Sequence, residues 1–153
     1  MREVKVTPIK NGTVIDHITP GMALNVLKII GIPDTGGAST VSVLMHVPSR
    51  KVKWKDIVKV EDRELDKDQL DKIALIAPDT TINIIRNYNV VEKHRVEAPL
   101  EVVGLVRCEN PSCISNKPRE PVKSRFSVAS RNPLKLKCHY CDREQSDIAK
   151  HLL

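Results

Sequence analysis

The first half of the chain alternates between two periodicities. Lys5 to Lys10 reads as a short strand, and Asn11-Gly12 is a turn signal into the β-branched run Thr13-Val14-Ile15-Asp16-His17-Ile18. Thr19 has the chemistry of a helix N-cap, with Pro20 at the first helical position. Apolar residues at Met22, Leu24, Val26, Leu27, Ile29 and Ile30 then describe a buried helix closed by Gly31. Thr40 to Val47 sets Val41, Val43 and Met45 against Ser42, Leu44 and His46, a period of two, and Pro48-Ser49 turns this strand toward a second over Lys51 to Val60. The two strands are expected to pair antiparallel. A second helix starts at Asp66, where Gln69 completes a capping box and Leu65 can meet Leu70 as a hydrophobic staple; Pro78 stops it after Ala77. Residues 81 to 91 return as one strand rich in Ile and Val.

Strand, helix, strand, strand, helix, strand is the order of a ferredoxin-like α+β fold, with one antiparallel sheet and both helices on a single face. The pattern changes beyond Ala98-Pro99. Apolar positions thin out to Phe126, Val128, Leu134 and Leu136, enough for a few short strands, and all four cysteines fall between Cys108 and Cys141. Charge shifts at the same point, from 15 basic and 13 acidic residues over 1–98 to 10 and 6 over 99–153. Two domains, 1–98 and 99–153, are therefore expected.

Cys108-x4-Cys113 and Cys138-x2-Cys141 are two close pairs separated by a span long enough to fold back. Each short loop can bring two thiolates to one side of a metal, and four soft donors at tetrahedral corners suit a single structural zinc ion. A redox dithiol at Cys138-His139-Tyr140-Cys141 and four unrelated buried thiols are the competing readings. Four thiolates would leave zinc no site for an activated water, which argues against a hydrolytic metal centre.

Composition sharpens this only in part. The chain has 153 residues, 41% hydrophobic and 29% charged, with a formal charge of +6, so it can bury a core and favours anionic partners. Only 3% of residues are aromatic, which disfavours a single-strand binder built on stacked bases. The charged N-terminus and short apolar runs predict neither a targeting segment nor a membrane span, and the cytoplasm is the expected location. Lys51, Lys53, Lys55 and Lys59 share one parity and could project from one sheet face as an anion site, or simply form a solvated face. Asp16-His17 could be a general base with its orienter or a structural hydrogen bond, and no nucleophile motif accompanies it. Gly36-Gly37 is followed by neither the lysine nor the helix start of a phosphate-binding loop. A basic zinc-ribbon protein that binds nucleic acid remains the reading from another class.

Five features in order are similar to one known family: Gly12-Thr-Val-Ile-Asp-His-Ile18, Lys55-Asp-Ile-Val-Lys59, Ala74-Leu-Ile-Ala-Pro78, Asn87-Tyr-Asn-Val-Val91 and the cysteine array. Together, from about Val4 to Cys141, they resemble the regulatory chains of aspartate carbamoyltransferase, an enzyme of pyrimidine biosynthesis. The resemblance implies a non-catalytic subunit that binds CTP and ATP competitively in its N-terminal domain. It also implies a homodimer of regulatory chains that links catalytic trimers through the zinc domain, with no nucleic-acid and no membrane partner. Carried over by motif, Lys59 and Lys93 face the base or ribose, and Asp16 holds the ribose. His17 and Lys93 lie near the phosphates, and Lys10 and Lys55 join the basic groups that converge on the triphosphate. Main-chain groups of Ile9 and Tyr88 read the exocyclic amino group, and Val14, Asn83, Ile85 and Val90 line the pocket. Glu109, Asn110 and Ser112, with Asp142 beside the last zinc ligand, are the expected contacts to the catalytic chain.

Overall fold

The computed structural model describes residues 9–31, 39–50, 52–131 and 133–153. Most of the strand expected over Lys5 to Lys10, together with Gly36-Gly37 and Lys51, lies outside those residues. The chain divides into two compact units, Met1–Glu97 and Ala98–Leu153.

The first unit runs β1 (Gly12–Ile18), α1 (Ala23–Ile29), β2 (Val41–Pro48), β3 (Trp54–Glu61), α2 (Lys67–Ile76), β4 (Thr81–Arg86) and β5 (Asn89–Arg95). Its sheet has the order β2-β3-β1-β4-β5, and every neighbouring pair is antiparallel. The first four strands have the ferredoxin-like topology, and the two helices touch one another over the sheet. Alternation along the strands assigns the faces. Thr13, Ile15, Val58, Val60, Ile82 and Ile84 are buried and share the core with Ala23, Val26, Ile73 and Ala74 of the helices. Each such aliphatic side chain contributes about 1.5–3 kcal/mol by leaving water.

Three expectations are corrected. Residues 81–91 are not one strand but a hairpin that continues to Arg95. Asn87 and Tyr88, at φ 50° and 66°, make a two-residue turn with Arg86 opposite Asn89, the double left-handed geometry that matches strand twist. Thr19 does not cap α1. Helix geometry starts at Ala23, and the cap comes from the buried carboxylate of Asp56 on β3, which accepts the N–H groups of Gly21 (3.0 Å) and Ala23 (3.1 Å). Gly12 opens β1 instead of lying in a turn. At φ 144°, a Cβ there would lie 2.2 Å from the carbonyl oxygen of Val60, so glycine serves close strand approach. Helix α2 is capped as expected: Asp66 accepts the Gln69 N–H at 2.9 Å, and the Gln69 side chain accepts that of Asp66 at 3.0 Å.

The second unit is an antiparallel sheet of β6 (Glu101–Val103), β7 (Arg125–Arg131), β8 (Leu134–Cys138) and β9 (Glu144–Gln145), in that order, with single 3₁₀ turns at Ile114–Asn116 and Ala149–His151. Its apolar core is small: Val102, Leu105, Val106, Phe126, Leu136 and Ile148.

Candidate functional sites

In the first unit, register brings residues from four strands into line on the face opposite the helices. Lys59 pairs with Val14, Val14 with Asn83, and Asn83 with Lys93. Directly opposed residues project to the same side, so these four form one row across the sheet. A parallel row toward the hairpin turn holds Gly12, Ile85 and Val90; another toward the far end holds Asp16, Thr81 and Arg95. The three rows span about 13 Å along β1 at ~3.4 Å per residue.

Each end of this face is pinned. At the turn end, the Tyr88 N–H donates to the carbonyl of Lys10 at 2.9 Å, tying Ile9-Lys10 to the β4–β5 hairpin; Ile9 is buried, while Lys10 and Tyr88 are exposed. At the other end, Asp16 accepts from the Lys55 ammonium at 3.0 Å and from the backbone N–H of His17 at 2.6 Å. The His17 ring nitrogen Nδ1 lies 3.8 Å from Asp16, so the tight bond runs through the backbone. Burial pushes the Lys59 ammonium below the ordinary lysine value, a shift that an anionic ligand would oppose. Of the four alternating lysines, Lys55 and Lys59 belong to β3; Lys53 precedes the strand and Lys51 is outside the described residues.

A cleft of about 490 Å³ adjoins the Asp16 end, bounded by His17, Lys53, Trp54, Asp79, Thr81 and Arg95. Arg95 pairs with Asp79, and Trp54 stacks on His46 with ring centroids 4.1 Å apart. Thr81, Arg95 and Trp54 were not singled out from the sequence. Arg95 had a readable signal, since it lies two positions beyond Lys93 on the same strand face.

The second site is the cysteine cluster. Sγ atoms of Cys108, Cys113, Cys138 and Cys141 all lie within 4.8 Å of one another, with Cys108–Cys141 at 3.6 Å and Cys113–Cys138 at 3.7 Å. All four are free thiols. The first two are held by a loop in which the Asn110 carbonyl accepts the Cys113 N–H at 3.0 Å, and the Asn116 side chain donates to the carbonyls of Cys108 (2.8 Å) and Asn110 (2.7 Å). The last two sit on a tight turn, closed by the Asp142 N–H donating to the Cys138 carbonyl at 3.0 Å, with Asp142 at φ 62°. Burial pushes the Cys108 and Cys138 thiols upward. At Cys141 burial also acts upward, but donation from the Arg143 backbone, the Asn110 side chain and the neighbouring thiols outweighs it and brings the pKa down to about 7. Four sulfurs this close, three of them buried and Cys141 half-buried, fit one bound cation, which stabilises the thiolates directly. Of the expected partner contacts, Glu109, Ser112 and Asp142 are exposed; the Asn110 side chain accepts the Ser112 N–H at 3.1 Å, so Asn110 also shapes the loop.

A ferredoxin-like domain with a polar, cationic sheet face, joined to a small β domain built around four thiols, defines a two-part protein with one metal-binding half. Residues 4–97 match the family described as aspartate carbamoyltransferase regulatory chain, allosteric domain, and residues 100–149 match its metal binding domain. The chain is 61% identical to the aspartate carbamoyltransferase regulatory chain of Methanothrix thermoacetophila, covering 99% of this chain and 98% of that one. It is 60% identical to that of Methanocella arvoryzae (99% and 97%) and 49% identical to that of Pyrococcus horikoshii (99% and 100%). The chain belongs to the aspartate carbamoyltransferase regulatory chain family and is a non-catalytic subunit with an allosteric and a metal-binding domain. No helix among the described residues is long and apolar enough to cross a membrane.

Proposed function

We propose that the first unit binds CTP and ATP in competition on the face built by Val14, Asn83, Lys59 and Lys93, and that the second docks onto the catalytic chain in the cytoplasm. The base lies at the turn end, where carbonyls of Ile9 and Tyr88 accept from its exocyclic amino group, between Ile85 and Val90. Asp16 and Lys59 hold the ribose. His17, Lys55 and Lys93 neutralise the triphosphate; Lys10, expected among them, lies instead at the turn end beside Tyr88. Carbonyl acceptors select amino over keto groups because an unpaired buried polar group is costly, and ammonium groups at a half-buried site give charge-assisted hydrogen bonds. The observation that carries this reading is the cross-sheet register Lys59–Val14–Asn83–Lys93, which brings cations distant in sequence onto one face.

The metal is zinc. Bonds of about 2.3 Å to a tetrahedral ion set thiolates roughly 3.8 Å apart, close to the 3.6 and 3.7 Å found for two of the pairs. Bound there, zinc supplies structure and no catalytic water. It holds the loops bearing Glu109, Asn110, Ser112 and Asp142 against the catalytic chain, and a homodimer of regulatory chains thereby links two catalytic trimers. A nucleotide then acts by its differential affinity for low- and high-activity states of the assembly, with a coupling of about 1–3 kcal/mol.

The test is to mix the zinc-loaded chain with catalytic trimers and to follow mass and the response of activity to CTP. A larger complex with a CTP response is expected; no change in either overturns the proposal. Lys59→Ala and Lys93→Ala should each weaken nucleotide binding about tenfold, the size of one lost charge-assisted hydrogen bond. Assembly should persist in both variants, and its loss would make the lysines structural.

A further inference from the structure

Asp56 has no place in the binding scheme above, yet it is fully buried and its carboxylate makes three backbone hydrogen bonds in three directions. Oδ1 accepts the His46 N–H on β2 at 2.8 Å, and Oδ2 accepts those of Gly21 and Ala23 beyond β1 at 3.0 and 3.1 Å. A helix cap needs only the last two.

The strand irregularities explain the third. Along β1 the register passes from Ile15 opposite Val58 to Ile18 opposite Asp56, leaving two residues where β3 has one. Along β2 it passes from Leu44 opposite Ile57 to Val47 opposite Lys55, again two against one. Both neighbours of β3 therefore bulge beside Asp56, β2 directly opposite it and β1 opposite the adjoining Ile57. Each bulge places a histidine in the left-handed region: His17 at φ 56° and His46 at φ 57°. A non-glycine residue stays there only where the surroundings over-determine it. Asp56 supplies that constraint, directly at His46 and through Gly21 and Ala23 to the chain leaving His17. Its neighbour Lys55 projects to the other face and reaches Asp16.

We infer that Asp56 is a positioning residue for the phosphate end of the nucleotide site: by pinning both bulges it fixes His17 and Lys55 in their orientations without touching the ligand. The inference rests on the nucleotide reading above. It ties Asp56 to the triphosphate contacts first, and through Lys55 to Asp16 at the same end, while those to the base at the turn end stay unchanged.

The ratio of CTP to CMP affinity isolates the contribution of the two outer phosphates. In the zinc-loaded full chain, Asp56→Asn keeps the size of the side chain but turns one acceptor into a donor facing backbone N–H groups. The CTP:CMP ratio measured by calorimetry should fall about tenfold, with CMP affinity falling less than CTP affinity because CMP keeps its base contacts and lacks the outer phosphates. A folded variant with an unchanged ratio overturns the inference, because a purely structural role would lower both affinities together or neither. If Asp56→Asn does not fold, amide exchange in the unsubstituted chain decides. CTP should slow exchange at His46, Gly21 and Ala23 more than saturating CMP does, and equal effects overturn the inference. If the unsubstituted chain binds neither nucleotide, the site reading fails first and takes this inference with it.

Discussion

Removing the metal should unfold the second unit and leave the first intact. The apolar core of Ala98–Leu153 rests on Val102, Leu105, Val106, Phe126, Leu136 and Ile148, and Cys108, Cys113 and Cys138 are buried among the structures that core supports. A structural zinc site contributes about 10–16 kcal/mol at neutral pH, whereas a whole domain is stable by only about 5–15 kcal/mol. The metal term is thus as large as the net stability it supports. Stripping the ion also leaves four close thiols whose burial opposes ionisation at Cys108 and Cys138. The assay is amide resonance dispersion before and after a strong chelator. Resonances of 98–153 should collapse to unfolded positions, and those of 9–97 should stay. Trp54, the single tryptophan, lies in the first unit stacked on His46 and provides a fluorescence control that should not change. Acid should act like the chelator, because protons compete for thiolates and metal affinity falls with falling pH. A stripped chain that keeps dispersed resonances over 98–153 would refute the reasoning.

Three further outcomes follow from the first unit. Gly12→Ala meets both a φ of 144° and the Val60 oxygen at 2.2 Å, and should cost roughly 3 kcal/mol or more, read as a lower urea midpoint. Asp66→Ala removes one half of the capping box on α2 and should cost about 1 kcal/mol, lowering the melting temperature of the unit by roughly 4–8 °C. Burial holds Lys59 below its ordinary pKa of 10.5, while a bound anion favours the charged form. Nucleotide affinity should therefore be full below the lowered pKa and decline as pH rises through it. Lys59→Arg, charged throughout, should lose that alkaline limb in calorimetry, and identical profiles would remove Lys59 from the site.

What could be read from the sequence follows the range of the interactions. Asp66 and Gln69 are three residues apart, and the capping box forms as read. Both cysteine pairs are local, and only the fold-back of the span between them was needed to cluster the four sulfurs. The hairpin at Asn87-Tyr88 was missed because its turn carries no glycine, and the surrounding Ile and Val run reads as a single strand. The α1 cap was missed for another reason. Thr19 has the right chemistry nearby, but Asp56 arrives from 33 residues beyond Ala23 and wins because it is already buried at the helix end. The row Lys59–Val14–Asn83–Lys93 depends on three strand registers at once, which alternation within one strand cannot specify.

The two units are stabilised by different means, and that difference constrains how a nucleotide can regulate anything. In the first, apolar residues between sheet and helices carry the stability, so the polar face is free to be cationic and half-buried at modest cost. In the second, four cysteines positioned around one ion carry it, and the exposed loop residues are left free of that task. A ligand on the first unit changes an enzyme's activity only through the difference between its affinities for two states of the assembly. If the lysine face holds the nucleotide as proposed, weakening it equally in both states should move the nucleotide concentration at half effect and leave the plateau alone. On the proposed function, changing Glu109, Ser112 or Asp142 should alter how the states differ at the docking surface, and so move the plateau itself. On that proposal, affinity and amplitude of regulation belong to different ends of the same chain.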